Sequence, residues 1–429
     1  MRGRFLIASC LLAISSCDEP ATPAPSAAAE EPRSPELRYK RWGRVAPNAP
    51  LFTAEQQAVA DELNAIGYAD GVRAAPAIVS VTVHDPARAL QGWNFYVSGH
   101  GCEAFLIDMQ GAVLHRWSYD YDKLWPEMEV PAALGRGTWR RAYLFPNGDL
   151  LAIHDGIGMI KLDRDSKLLF EYPGRTHHDV DVLEDGRIWT LSRKVELIPR
   201  IDPEVPCMDD FLVELDAEGR ELRRISVLEC LERGEAHELL ARMPKNRELF
   251  HTNAIEVLRR DLPGLPAFAA GNLLISLRLV DAIAVVDPSE RKVVWWMTGD
   301  YRGQHEPTIL ASGNLLLFDN HQGGEASSVL EFDLRTRAVV WSYTGTSERP
   351  FYSDGCGTAW RLANGNTLIT ETYGGRSFEV TPEGETVWEF YNPHRGGPND
   401  EYIAGLYDLQ RIVPDARYDW VAAGATDGR

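Results

Sequence analysis

Histidine and arginine side chains recur at matching positions of a repeated phrase along this chain. The phrase is a short apolar strand, a turn that ends in glycine and a second strand, and its clearest copy spans residues 304–320. Arg140, His178 and His305 each lie five residues before the last apolar residue of the first strand in their copy. Because equivalent positions of a repeat lie at equivalent places in the fold, we expect these side chains to converge.

Further residues extend the set. In the fourth unit, His251 lies two residues before the equivalent position, on the same face of its strand. Arg193, Arg278 and Asn320 each follow a turn glycine by seven residues, at the end of the second strand. His177 adjoins the histidine of its own copy. The shared register favours a common site over independent structural roles, which a single histidine more often has.

Imidazole and guanidinium groups together suit an anion that must be held and transferred. Arginine presents a fixed fork of donors to sulfate or phosphate oxygens. Neutral histidine serves as a nucleophile or a general base near neutral pH. The chain has no glycine-rich phosphate loop, no Gly-x-Ser-x-Gly and no carboxylate-rich motif for a metal. These patterns disfavour a nucleotide donor and a serine hydrolase.

The elements that position these residues are strands. Six segments share an outer-strand phrase, beginning near residues 104, 159, 211, 282, 329 and 378. Five of them follow the inner phrase, whose turn glycines are Gly148, Gly186, Gly271, Gly313 and Gly365. Repeats of roughly 40 to 70 residues, each of about four short strands, predict an all-β, six-bladed β-propeller. The long spacing in the second inner unit indicates an insertion near residues 194–210.

The first unit lacks an inner phrase of its own. Residues 407–413 align with the inner strands of the other repeats. We therefore predict that the ring is closed by strands from both ends of the chain, which removes an open sheet edge. The propeller is expected over residues 91–415, with residues 416–429 as a carboxyl-terminal tail.

The amino terminus has the pattern of a bacterial export signal. Residues 1–16 begin with two arginines and continue with an apolar run too short to span a membrane. The sequence Ile14-Ser15-Ser16-Cys17 resembles a lipobox, which predicts a lipid on Cys17; ordinary signal cleavage nearby is the alternative. The expected location is the periplasmic face of the bacterial cell envelope, on either membrane.

Two segments separate this signal from the repeats. Residues 17–50 are predicted to be a flexible tether, since residues 18–37 are rich in proline, alanine, serine and glutamate. Residues 51–90 are predicted to form a short extension with one helix at residues 53–66, in which Thr53 and Gln56 form a capping box.

The net charge and the cysteine content bear on which partners the protein binds and which cellular compartment it occupies. The formal net charge is −19 at pH 7, which argues against nucleic acid as a partner. Cys102, Cys207, Cys230 and Cys356 follow the predicted cleavage site, and none has the spacing of a zinc ligand. Disulfides are expected in an oxidising compartment, most simply between Cys207 and Cys230, although spacing alone leaves the pairing open.

Four motifs resemble one known family when they are taken together. They are Thr176-His-His-Asp-Val180, His251-Thr-Asn-Ala-Ile-Glu256, Asn272-Leu-Leu-Ile-Ser-Leu-Arg278 continuing to Ile283, and the phrase from Gln304 to Asn320. Over roughly residues 90 to 412 the chain is similar to the bacterial arylsulfate sulfotransferases, periplasmic six-bladed propellers that do not use a nucleotide donor.

The resemblance implies a reaction and roles for the residues. A sulfuryl group would pass from a phenolic sulfate ester to a phenolic acceptor by a ping-pong mechanism through a sulfohistidine, without a cofactor. His305 is expected to be the nucleophile, Arg278 and His251 to hold the sulfuryl oxygens, and His178 to hold oxygens or transfer a proton. The remaining positions of the set are expected to bind substrate: Arg140, His177, Arg193 and Asn320.

Two other classes stay open at this point. A non-catalytic, membrane-tethered propeller that serves as a binding or assembly module would also fit the acidic composition and the repeats. A metal enzyme built on the histidine cluster, such as a polysaccharide lyase, is the third class. The oligomeric state is left open.

Overall fold

The computed structural model describes residues 52–64, 73–125, 137–245 and 247–424. Residues Leu51–Arg429 form one compact unit. The predicted signal peptide, the predicted lipidation site Cys17 and the whole of the predicted tether lie outside the described residues. In the described part of the chain, no helix has both the length and the apolar character needed to cross a bilayer.

Strands dominate the described residues. In the first half of the chain they are β1 (Arg73–Ala74), β2 (Ser80–His84), β3 (Trp93–Ser98), β4 (Glu103–Ile107), β5 (Val113–Ser118), β6 (Arg141–Leu144), β7 (Leu150–His154), β8 (Gly158–Leu162), β9 (Leu168–Tyr172), β10 (Thr176–Val182), β11 (Ile188–Ile198), β12 (Asp202–Leu215) and β13 (Glu221–Ser226). In the second half they are β14 (Thr252–Val257), β15 (Leu273–Leu277), β16 (Ala282–Asp287), β17 (Lys292–Thr298), β18 (His305–Ile309), β19 (Leu315–Asp319), β20 (Ser328–Phe332), β21 (Val339–Tyr343), β22 (Thr358–Arg361), β23 (Thr367–Glu371), β24 (Arg376–Val380), β25 (Thr386–Tyr391), β26 (Arg395–Gly396), β27 (Tyr402–Ile403) and β28 (Leu406–Ile412).

Helices are few and short among the same residues. They are α1 (Ala54–Asn64), α2 (Val227–Arg233), α3 (His237–Leu240) and α4 (Asp419–Gly424), together with 3-10 turns at Tyr121–Lys123, Arg278–Val280 and Ala416–Tyr418. The all-β prediction is therefore confirmed.

Most strands belong to six antiparallel sheets of four or five strands. Their orders are β28-β3-β4-β5, β6-β7-β8-β9, β10-β11-β12-β13, β14-β15-β16-β17, β18-β19-β20-β21 and β2-β25-β24-β23-β22, beside a small sheet β1-β27-β26. Tight turns join neighbours within a sheet, as at Gly313, whose φ of 88° suits glycine. Strands β6, β10, β14, β18, β22 and β28 contact one another in that order, and β6 also contacts β3, the partner of β28.

The carboxyl-terminal strand has the pairing that we predicted. Strand β28 pairs with β3, from Leu406 opposite Ser98 to Ile412 opposite Trp93. Leu406 and Leu409 are fully buried there. The first sheet is thus built from both ends of the chain.

Three features differ from the sequence-based expectations. Strand β2, in the segment predicted as a helical extension, pairs with β25 as a fifth strand. Residues 416–429 were predicted to be only a tail, yet Tyr418 and Val421 are buried in the apolar core of the first two sheets. The third outer strand ends before Val227, where Ser226 caps the unpredicted helix α2 through Glu229 N–H.

The predicted Cys207–Cys230 disulfide is wrong. Cys207 and Cys230 are both free thiols. Cys207 and Cys230 are both fully buried in one apolar cluster, where they pack as small hydrophobic side chains. Their common burial does not bring the sulfurs into a bond, since a disulfide also needs the side chains to face each other.

The predicted capping box of helix α1 is confirmed. Thr53 N–H donates to Gln56 Oε1 at 2.9 Å, and Gln56 N–H donates to Thr53 Oγ1 at 3.2 Å. The helix contacts β11 and β12, whose long hairpin accounts for the insertion predicted near residues 194–210.

Candidate active site

The inner strands are kinked where the candidate residues lie. Register shifts interrupt the pairing of β10, β14 and β18 near their first residues. At these kinks His178, His251 and Glu306 have positive φ angles of 54°, 51° and 48°, in a region that non-glycine residues rarely adopt. A bulge interrupts the usual alternation of side chains, and so the neighbours His177 and His178 contact each other. Such local strain is often found at functional sites.

His305 is held in a single orientation by Asn320. Its Nδ1 lies 2.6 Å from Asn320 Oδ1 and 3.0 Å from the carbonyl oxygen of Gly303. Asn320 Nδ2 donates to the carbonyl oxygens of Ser353 and Cys356, at 2.7 and 2.6 Å. The amide oxygen must therefore face the histidine, and since both neighbours of Nδ1 are acceptors, Nδ1 carries the proton. The lone pair of a neutral His305 is consequently on Nε2.

His305 is also kept neutral. Burial lowers its pKa well below the ordinary value, and the positive charge of Arg278 lowers it further. A neutral imidazole is the form that attacks as a nucleophile.

Three more histidines form a connected row. His177 Nδ1 lies 2.9 Å from His178 Nδ1, and His178 Nε2 lies 3.2 Å from His251 Nε2. Burial lowers the pKa of all three. Neighbouring histidine and arginine charges lower the pKa of His177 and His178 further, whereas Glu248 raises that of His251 against the larger effect of burial. The row is therefore neutral near pH 7.

A carboxylate lies at each end of this row. Glu248 Oε1 is 2.9 Å from His251 Nδ1, an ion-pair distance. Asp210 Oδ1 is 3.7 Å from His177 Nε2. Burial raises the pKa of Asp210 to about 7. Asp210 also accepts the backbone N–H of Thr252 at 2.6 Å, which ties β12 to the start of β14.

Three arginines border the histidines. Arg278 is half-buried at the end of β15, and its charge lowers the pKa of His251 and of His305. Within the described part of the chain, no hydrogen bond or ion pair engages its guanidinium group. Arg140 is buried and donates from Nη2 to Cys356 Sγ at 3.2 Å. Arg193 is buried near His177, whose pKa its charge lowers.

The carboxylate that follows the candidate nucleophile points away from it. Glu306 Oε1 accepts from Arg141 Nη2 at 2.5 Å, and Arg141 also contacts Asp179 at 3.0 Å and Asp408 at 3.2 Å. Burial raises the pKa of Glu306 to about 8. Arg141 and Glu306 line a cavity of about 230 Å³. His305 and Glu306 are adjacent in the chain, but their side chains point in different directions. The Glu306 carboxylate therefore faces Arg141 and not the histidines.

The structure places five of the predicted residues in two groups, within each of which the side chains contact one another. His177, His178 and His251 form one, and His305 with Asn320 forms the other. Electrostatic effects of Arg140 and Arg278 reach His305, which places both arginines near the second group. Arg193 lies beside His177 instead.

Sequence reasoning missed several partners of these residues. Glu248 and Asp210 end the histidine row, Ser353 and Cys356 fix Asn320, and Asp155 Oδ1 accepts from His178 N–H at 3.4 Å. Asp155 follows its turn glycine, Gly148, by seven residues, as Arg278 follows Gly271. This shared position was the one sequence signal for any of these partners. Among the described residues, no three His, Cys, Asp or Glu side chains are arranged as metal ligands.

These observations define an all-β protein with a buried site made of histidine and arginine side chains. The model of the arylsulfotransferase (ASST) family matches residues 141–393, more than half of the chain. The chain therefore belongs to the arylsulfotransferase family. The match includes both histidine groups and Arg278. A comparison with curated proteins gives no match.

Solved structures give distant likenesses. A protein of unknown function from Bacteroides caccae is 13% identical with a TM-score of 0.49, over 74% of this chain and 98% of that one. A streptogramin B lyase is 11% identical with a TM-score of 0.42, over 80% and 95%. The β-propeller domain of Myceliophteria thermophila Cps50 (Swd1) is 12% identical with a TM-score of 0.43, over 81% and 98%.

Proposed function

We propose that the protein transfers a sulfuryl group from a phenolic sulfate ester to a phenolic acceptor through a sulfohistidine at His305. Membership of the arylsulfotransferase family supports a sulfotransferase that acts on small aryl substrates. The observation that carries the mechanism is the fixed, neutral His305, whose Nδ1 is bonded to Asn320 while Nε2 keeps its lone pair.

In the first half-reaction, His305 Nε2 attacks the sulfur of the donor. An N–S bond forms, the bond from sulfur to the aryl oxygen breaks, and the phenolate leaves with the electron pair. Asn320 accepts from Nδ1–H and so stabilises the positive charge that develops on the ring. In the second half-reaction, the acceptor oxygen attacks sulfur, the N–S bond breaks, its electron pair returns to Nε2, and a base takes the phenolic proton.

The sulfuryl oxygens need cationic donors that are not already engaged. We assign this role mainly to Arg278, since its guanidinium is unengaged within the described residues and its charge reaches His305. Arg140, buried near the same histidine, is the second candidate donor. Preorganised donors of this kind contribute about 3–4 kcal/mol each to transition-state binding. His251 Nε2 is bonded to His178, which favours proton handling over oxygen binding for that histidine.

The scaffold in this proposal is a closed six-bladed propeller. Six sheets of four or five strands, the pairing of β28 with β3 and the successive contacts of the inner strands support it. In such a ring the inner strands surround one channel, and the kinks of β10, β14 and β18 would place the histidines at one mouth of it.

An assay with 4-nitrophenyl sulfate and phenol tests the proposal. We expect 4-nitrophenol release that depends on the protein and yields phenyl sulfate in equal amount. Release without an acceptor should stop at one equivalent per site. Purified protein that gives neither result would favour the non-catalytic tethered module instead.

The rate of the first half-reaction should not fall as the pH drops through 6.5, the ordinary pKa of histidine. Burial holds the pKa of His305 well below that value, so the unprotonated nucleophile persists as the pH falls. The measurement is single-turnover release of 4-nitrophenol, read after quenching into base at each pH. A loss of rate with its midpoint near 6.5 would show that His305 titrates normally and contradict the buried, neutral nucleophile.

We also propose that a lipid on Cys17 holds the protein at the periplasmic face of the cell envelope. The lipobox-like Ile14-Ser15-Ser16-Cys17 supports this location. Cys17→Ser should move the protein from the membrane fraction to the soluble fraction, because the acylated thiol is removed. Fractionation of cells that express either form checks this, with Cys102→Ser as the matched control. Unchanged membrane association of the Cys17 variant would contradict the anchor.

A further inference from the structure

We propose that Glu248, His251, His178, His177 and Asp210 form a proton relay that accepts the phenolic proton of the acceptor, with Glu248 as the residue that positions and stabilises it. The inference rests on the proposed function and adds a role for Glu248, which no motif in the sequence indicated. The five groups form one continuous row, with successive separations of 2.9, 3.2, 2.9 and 3.7 Å.

The hydrogen bonds within the row explain why it suits a proton. Both ring nitrogens of His178 are occupied by histidine neighbours, and His251 Nε2 faces His178. Each of these contacts needs one donor and one acceptor, so a proton gained by one ring can be passed along by exchange of donor and acceptor roles. A sulfuryl oxygen would instead need an N–H that is not already shared.

The carboxylates at the ends explain how the row could hold a positive charge. A buried imidazolium is costly unless an opposite charge is close. Glu248 lies at ion-pair distance from His251 and is itself buried, so its attraction for an imidazolium is weakly screened by water. The charge of Glu248 raises the pKa of His251 against the larger effect of burial. Asp210 occupies the corresponding place beside His177 at the other end.

The chemistry of the second half-reaction requires such a group. When the acceptor oxygen bonds to sulfur and the N–S bond at His305 breaks, the phenolic proton passes to Nε2 of His251, which gives up its contact with His178 and becomes an imidazolium beside Glu248. The relay holds that proton until it is returned to a departing phenolate or to water, so that donor plus phenol gives new ester plus released phenol. The first half-reaction with 4-nitrophenyl sulfate does not need the relay, because 4-nitrophenolate is stable without a proton.

The test is to measure the two half-reactions separately in Glu248→Gln. The first is single-turnover release of 4-nitrophenolate from 4-nitrophenyl sulfate without acceptor; the second is phenyl sulfate formation when phenol is added to the isolated adduct. We expect the rate of the first half-reaction to stay within about twofold of wild type. The rate of the second should fall by about tenfold or more, because the group that takes the phenolic proton loses its stabilising carboxylate. An acceptor more acidic than phenol, such as 4-cyanophenol, should show a smaller deficit because it loses its proton more readily.

Two further variants make the outcome specific. Glu248→Asp keeps the charge and should retain more of the second rate than Glu248→Gln. Glu290→Gln removes a carboxylate that is 65% exposed and should change neither rate. Equal slowing of both half-reactions by Glu248→Gln would indicate a structural role and overturn the relay, as would an unchanged second rate. Wild-type protein that releases no 4-nitrophenolate would instead refute the proposed function itself.

Discussion

His305→Ala should abolish turnover and the sulfuryl adduct while leaving the protein folded. The imidazole is the proposed site of the N–S bond, and alanine has no nucleophile to replace it. The Nδ1 contacts to Asn320 and Gly303 are lost, but Asn320 remains fixed by its two bonds to backbone carbonyls. The decisive measurement is intact mass after mixing with 4-nitrophenyl sulfate alone. Wild-type protein should gain one sulfuryl group, and the variant should gain none.

A neighbouring histidine supplies the matched control. The side chain of His321 is 53% exposed, and it follows Asn320 directly in the chain. His321→Ala should keep both the adduct and the rate, because the contacts of His305 do not include it. Two outcomes would refute the sulfohistidine: wild-type turnover with no adduct under any quench, or a His305→Ala variant that keeps its rate. A variant with altered thermal unfolding would have to be replaced by His305→Gln before the result is interpreted.

The positions of the central residues could be predicted from the sequence because the fold repeats. His178 and His305 share a register, and β10 and β18 place both at kinked strand starts. Asn320 was predicted from a second register, and the structure shows it bonded to His305. A repeat fixes the place of a residue along a strand, and it therefore predicts which side chains approach one another.

Contacts outside the repeat could not be predicted in this way. Glu248 precedes β14 in an irregular segment, so no register links it to His251. The pairing of Arg141 with Glu306 and Asp408 joins three strands that are far apart in the chain. Strand β2 gave no repeat signal because it is a fifth strand added to a complete sheet. Such contacts depend on how sheets pack, which spacing along one strand does not report.

The second large effect is expected from removing the carboxyl-terminal strand. Deletion of residues 406–429 removes β28 and leaves β3 as an unpaired sheet edge. It also removes the fully buried Leu406 and Leu409, each worth about 1.5–3 kcal/mol of burial. Asp408 is lost as a partner of Arg141, which leaves a buried guanidinium with one carboxylate fewer. Against a total stability of about 5–15 kcal/mol, we expect the truncated chain to be insoluble or unfolded.

A shorter deletion separates the strand from the helix that follows it. Removal of residues 415–429 keeps β28 but loses Tyr418 and the hydrogen bond from Trp420 Nε1 to the carbonyl oxygen of Pro146. This variant should fold with a lower thermal midpoint, since it loses the buried side chains of Tyr418 and Val421 but keeps every strand pairing of the first sheet. Circular dichroism melts and soluble yield compare the two deletions. A chain that lacks residues 406–429 and melts like wild type would show that β28 is dispensable, and would contradict closure of the ring by both chain ends.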